Sequence, residues 1–197
     1  MNYISDLLFW ISNGLLVPVI VGLLILFLLS LLLLGTLFGS YRRERTASHR
    51  YTRLQEQLRQ GQIEEAQAQL QSQGRKTPFE EVADALLRSP FNERILLIDR
   101  YQLLCERRLG TAHILTKFGP ILGLMGTLIP MGPALVGLST GDIADMAYNM
   151  QVAFATTVVG MFASAVGYLY THILARFHKQ DLIRLDFIHN TLSDEQE

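Results

Sequence analysis

Thr127, Asn149, Thr156, Thr157 and Ser164 are small polar residues set in long, predominantly apolar stretches. Hydroxyls and amides of this kind do no acid–base chemistry near neutral pH. They can bond to a neighbouring helix or offer a polar surface to a group carried by another molecule. Titratable groups are missing from the same stretches: residues 118–141 and 146–175 contain no Asp, Glu, Lys or Arg, and His172 stands alone near the end of the second. Proton relays through membranes normally use ionisable side chains. If a proton passes along this chain, another chain must supply the group that titrates.

The spacing of the polar residues shows how they are held. Gly119, Gly123, Thr127, Pro130, Ala134 and Gly137 recur every three or four residues, as do Asn149, Ala153, Thr157, Gly160, Ser164, Gly167 and Thr171. Each set forms one stripe of small, weakly polar residues on a helix. Gly119, Gly123, Gly126, Gly160 and Gly167 suit close packing of helix backbones, for which such stripes are common. Alternatively, the stripes line a wet or partner-filled centre, where prolines such as Pro130 and Pro133 free backbone carbonyls. Periodicity alone leaves both readings open.

The elements that carry these residues are membrane helices. Residues 15–38, 118–141 and 146–175 each exceed the roughly 20 residues needed to cross a hydrocarbon core. The first block is expected to be an uncleaved anchor rather than a secretory leader, because its apolar run is long and no Lys or Arg precedes residue 42. All 17 Lys and Arg lie within residues 42–117 or 176–184. Positive flanks are retained in the cytoplasm, so the amino terminus and a loop at 139–149 are expected outside. The expected layout is an all-α membrane protein. An interfacial amphipathic helix at 1–14 carries Tyr3 and Trp10, and a first span covers 15–38. A cytoplasmic helical domain at 42–117, spans at 118–141 and 146–175, and a cytoplasmic tail at 176–197 complete it.

Within residues 42–117 the sequence predicts small helices. The run of arginines after the first span fixes its end and can also touch anionic lipid. One short helix falls between Gly61 and Gly74, with Ile63, Ala66 and Leu70 on one side. Another opens on Thr77 as N-cap, with Pro78 at the first position and Glu80 completing a capping box. A longer helix runs from Phe91 toward the second span. Cys105, the single cysteine, shares a stripe with Phe91, Ile95, Ile98, Leu109 and Ala112 and reads as a packed thiol. No phosphate-binding glycine loop, metal-ligand cluster or nucleophile–His–Asp set is present in the sequence. We therefore expect no enzyme, no cofactor or metal, and no nucleic-acid partner.

The stretch "GPILGLMGTLIPM" resembles the second-span motif of the MotA/TolQ/ExbB proton-channel family, close to A-P-L-L-G-L-L-G-T-V. "ATTVVGMFASAVGYL" is similar to the family's third-span motif. Thr127 falls on the second-span threonine, and Thr157 with Gly160 on the third-span pair. The resemblance covers about residues 110–176 in sequence and the rest in layout. It implies an inner-membrane homopentamer around two copies of a single-span partner, similar to ExbD, TolR or MotB, whose transmembrane aspartate carries the ion. Thr127 and Thr157 would then face that acid, and Thr156, Pro130, Asn149 and Ser164 would line the same path. Val152 stands where many ExbB- and TolQ-like members have glutamate, and Val166 where a later proline falls. A structural membrane scaffold without ion coupling is the alternative.

Overall fold

The computed structural model describes residues 2–59, 62, 65, 68, 70 and 77–194. Four helices have described bounds, α1 (Asn2–Arg59), α2 (Pro78–Arg88), α3 (Phe91–Thr140) and α4 (Ile143–Asp194), and residues 65, 68 and 70 are helical as well. Three of these, α1, α3 and α4, contain stretches long and apolar enough to cross a membrane. The chain divides into two compact units. One comprises Met1–Thr36 with Thr111–Thr171, and the other Leu37–Gly110 with His172–Glu197.

The apolar unit is a three-helix bundle whose tightest contact joins α3 to α4. A Cβ built on Gly119 would lie 2.6 Å from the Gly160 carbonyl oxygen, and one on Gly160 would lie 2.9 Å from the Cα of Gly123. Further along, a Cβ on Gly167 would come within 2.8 Å of the Ala112 carbonyl oxygen. Only residues without side chains let the two backbones meet at these points. α1 packs on this pair through larger groups: Val19 and Leu23 meet Ile129, while Leu26 meets Leu115 and Ala163. The rings of Phe27 and Phe162 are 5.6 Å apart.

Two boundaries differ from the sequence-based expectation. Residues 1–14 do not form a separate surface helix: α1 continues unbroken through Gly14 and Pro18. Phe9 reaches within 3.6 Å of the Cβ position of Gly132, while Tyr3, Ile4, Leu7, Leu8 and Trp10 on the same turns are exposed. Within apolar surroundings, breaking the helix would strand several backbone groups, whereas Pro18 forfeits one hydrogen bond. Nor do residues 139–149 form a loop. α3 runs to Thr140 and α4 begins at Ile143, three residues before the expected span. Gly141 takes the left-handed conformation, with φ of 79°. Its N–H donates to the Leu138 carbonyl and that of Asp142 to the Gly137 carbonyl, closing a Schellman turn. The Asp142 carboxylate then accepts from the Asp145 N–H at 3.0 Å and caps α4.

The polar unit has its own core, built from Tyr51, Leu70, Phe79, Ala83, Leu86, Leu87, Tyr101, Cys105, Leu185, Ile188 and Leu192. α2 begins as its sequence predicts: the Glu80 N–H donates to the Thr77 hydroxyl, and the Thr77 N–H to the Glu80 carboxylate. Phe79, Ala83, Leu86 and Leu87 bury one face of this helix. Of the short helix expected between Gly61 and Gly74, Leu70 is buried, and Ile63 and Ala66 lie outside the described residues. Cys105 is buried, and burial pushes its thiol up. Ile95, placed on the same stripe from its spacing, is 52% exposed instead, because α3 turns Tyr101 and Cys105 inward.

Replacing Gly160 with valine forces α4 away from α3 and should cost about 1–3 kcal/mol, the usual scale for overpacking. Gly110, with open space around its Cβ position, should accept alanine with a gain of about 0.5–1 kcal/mol. Thermal unfolding of the two variants in detergent micelles measures both effects.

Candidate ion-pathway face

The small stripes of α3 and α4 face each other within the single chain, and this divides the candidate residues into two groups. Thr156 is buried and lies against Gly126, whose Cβ position is 2.6 Å from the threonine Cβ. Its hydroxyl donates to its own helix, at the Ala153 and Val152 carbonyls. Pro130 is less than 2% exposed. Within the single chain it is thus covered, whereas Thr127 on the same stripe is half-buried. Ser164 donates across the seam to the Thr116 carbonyl at 3.1 Å. Gly119, Gly123, Gly126, Gly160 and Gly167 all lie on this seam.

Thr127 and Thr157 form the second group. Both are half-buried. The Thr127 hydroxyl donates to the Leu124 carbonyl at 2.7 Å and that of Thr157 to the Ala153 carbonyl at 3.0 Å. Each oxygen keeps acceptor capacity, since a hydroxyl has two lone pairs and has donated its single proton. The two residues lie near each other along the seam: the Thr157 Cα is 3.7 Å from the Cβ position of Gly123, and Thr127 follows Gly123 by one turn. Asn149, nearer the turn, is also half-buried and donates to the Asp145 carbonyl.

The surroundings of Thr127 and Thr157 are apolar. Leu124, Leu128 and Leu135 point outward from α3, and Phe154, Val158 and Met161 from α4. A cavity of about 280 Å³ between α1 and α4 is lined by Ile20, Leu23, Leu24, Val152, Ala155, Thr156 and Val159. Val152 thus borders an apolar cavity whose one side-chain polar group is the Thr156 hydroxyl. Among the described residues, no group of three or more His, Cys, Asp or Glu could hold a metal ion. The face can accept hydrogen bonds and exclude water, but it has no group of its own to take up a proton.

The polar unit holds a cluster that the sequence reading passed over. Asp181, 5% exposed, accepts from the Tyr101 hydroxyl at 2.8 Å and from Arg184 at 3.3 Å. The guanidinium of Arg184 also lies 4.5 Å over the Tyr51 ring. A signal was present: Leu174, His178, Asp181, Leu185, Ile188 and Leu192 alternate at four- and three-residue steps, so Asp181 sits on an apolar stripe where a charge needs a partner.

Because the hydroxyls of Thr127 and Thr157 bond only to their own helix, replacing either with valine should change stability by no more than about 0.5 kcal/mol. Gly126→Ala, which drives a methyl into Thr156, should cost about 1–3 kcal/mol. Unfolding midpoints in micelles separate the two cases.

Compared with known proteins, residues 65–186 match the MotA/TolQ/ExbB proton channel family. No curated protein and no solved structure matches the chain.

Proposed function

The chain belongs to the MotA/TolQ/ExbB proton channel family, and from that premise we propose that it is the channel-forming, stator-type subunit of a motor driven by ion-motive force. The observation that carries this reading is that Thr127 and Thr157, half-buried hydroxyls with spare acceptor capacity, lie within about one turn of each other on a helix pair whose spans contain no Asp, Glu, Lys or Arg. A polar face of this kind is complementary to a partner that brings the titrating carboxyl. In our reading five copies surround two copies of a single-span, ExbD/TolR/MotB-like partner in the inner membrane, and the partner's aspartate carries the proton or sodium ion. The amino terminus lies outside and the polar unit in the cytoplasm, as the placement of the 17 cations favours. The chain itself performs no enzymatic step and needs no cofactor.

Two steps follow from the chemistry of this face. When the partner's acid is neutral, it can donate to the free lone pairs of Thr127 or Thr157 and lie against an apolar surface at little cost. When it is ionised, the hydrocarbon surroundings penalise it strongly. Loading and release of the ion therefore change which side of the ring the acid prefers, and that difference is the source of work.

A scaffold without ion coupling is the competing reading, supported by the glycine seam, which by itself serves packing. Co-reconstituted with its partner in vesicles, the Thr157→Val variant should keep the assembly intact and lose at least about tenfold in ion-driven flux, equivalent to roughly 1.4 kcal/mol or more. Thr127→Val should behave likewise. The chain alone should be electrically silent. Full flux in both variants, or indifference of the cellular phenotype to a protonophore, favours the scaffold.

A further inference from the structure

Beside Asp181 the polar unit encloses a cavity of about 110 Å³ lined by residues of all four helices, among them Tyr51, Thr77, Tyr101, Arg108, His178 and Asp181. This is room for several water molecules. The Nδ1 atom of His178 is shielded from solvent and has no hydrogen-bond partner. One turn along α4, Asp181 holds the Tyr101 hydroxyl of α3. Among the described residues Asp181 is the one carboxylate that lines this cavity. α1 contributes Tyr51 and α2 contributes the uncharged Thr77 and Phe79. α3 contributes Tyr101 and Arg108, with the buried Cys105 one turn from Tyr101. α4 adds His178 and Asp181, with Arg184 paired to Asp181.

We propose that His178 and Asp181 form a pH-dependent partner exchange that couples the packing of α3 on α4 to the acidity of the medium around the polar unit. With His178 neutral, Asp181 joins the two helices through Tyr101. Protonation gives His178 a second N–H in a cavity whose one carboxylate among the described residues is Asp181, three residues away on the same helix and the acceptor an imidazolium favours over the neutral hydroxyls of Ser40, Tyr51 and Thr77. The carboxylate turns to the imidazolium, and the Tyr101 bond is lost. No covalent bond changes; one proton moves from solvent to His178.

The direction of the pH response follows from the charges. Burial, and secondly Arg108, hold His178 below its ordinary value of 6.5. The folded state therefore binds fewer protons at this residue than the unfolded chain, so the stability His178 contributes is full above 6.5 and is lost as pH falls below it. Asp181 acts in the opposite sense. Burial raises it above 3.8, while the bonds from Tyr101 and Arg184 lower it. Its contribution is full below 3.8 and declines as pH rises through the raised value. A cation at His178 draws the carboxyl toward its ionised form, which favours the exchange.

Hydrogen exchange on the purified full chain tests the idea without reference to ion flux, so its outcome is separate from that of the channel reading. Between about pH 8 and about pH 5, after correction for intrinsic rates, amides around Tyr101 in the native protein should lose about tenfold in protection. His178→Gln and His178→Phe should abolish that response. Tyr101→Phe should lower protection at both pH values and flatten the difference. A native protein whose protection near Tyr101 does not change with pH, or a response retained in both His178 variants, overturns the proposal.

Discussion

Backbone-to-backbone contact between α3 and α4 is the constraint from which the rest of the apolar unit follows. Gly119, Gly123 and Gly160 bring the two helices together with no side chains between them. Lipid offers little hydrophobic drive for helix association, so close van der Waals approach and hydrogen bonds across the contact must hold the pair. The bond from Ser164 to Thr116 is one of these. Once the seam is closed, Thr156 is enclosed within it, whereas Thr127 and Thr157 stay half-buried at its edge. The same contact therefore supplies both the cohesion of the hairpin and the selection of which polar groups remain available.

The seam also bears on the absence of charge. An ionised side chain at any of these glycine positions would have to be desolvated between two backbones, at a cost of several kcal/mol. The helices that need the closest contact are thus those least able to carry a titrating group. In a family of proton channels, that separation leaves these spans to supply backbone geometry, in keeping with the proposed partner-borne acid. The chain's own buried charges are in the polar unit, where Asp181 is compensated by Tyr101 and Arg184.

Much of this was legible in the residues. The blocks free of charge gave the three apolar helices, and Thr77, Pro78 and Glu80 gave the start of α2 atom by atom, because capping chemistry is local. The two motifs gave the family. Other features depended on tertiary contacts that periodicity does not encode. Thr127 and Pro130 share a stripe in the sequence, yet a small change in angle around α3 leaves one at the edge and encloses the other. The aromatic, amphipathic start of α1 reads as a helix of its own, yet it continues without a break into the first span, because Gly14 and Pro18 do not interrupt the helix. Tyr101 and Asp181 are 80 residues apart, and nothing in the spacing joins them, although the charge on an apolar stripe of α4 marks one half of the pair.

The two-residue connection through Gly141 and Asp142 has a mechanical corollary. Both of its residues are fixed by hydrogen bonds, to the Leu138 and Gly137 carbonyls and to the Asp145 N–H. So short a tether has no slack to absorb sliding of α4 along α3, and the interlocked glycines below it oppose the same slip. Any displacement imposed on one of the two rods is handed to the other at full amplitude, as in a tuning fork whose prongs share one stem.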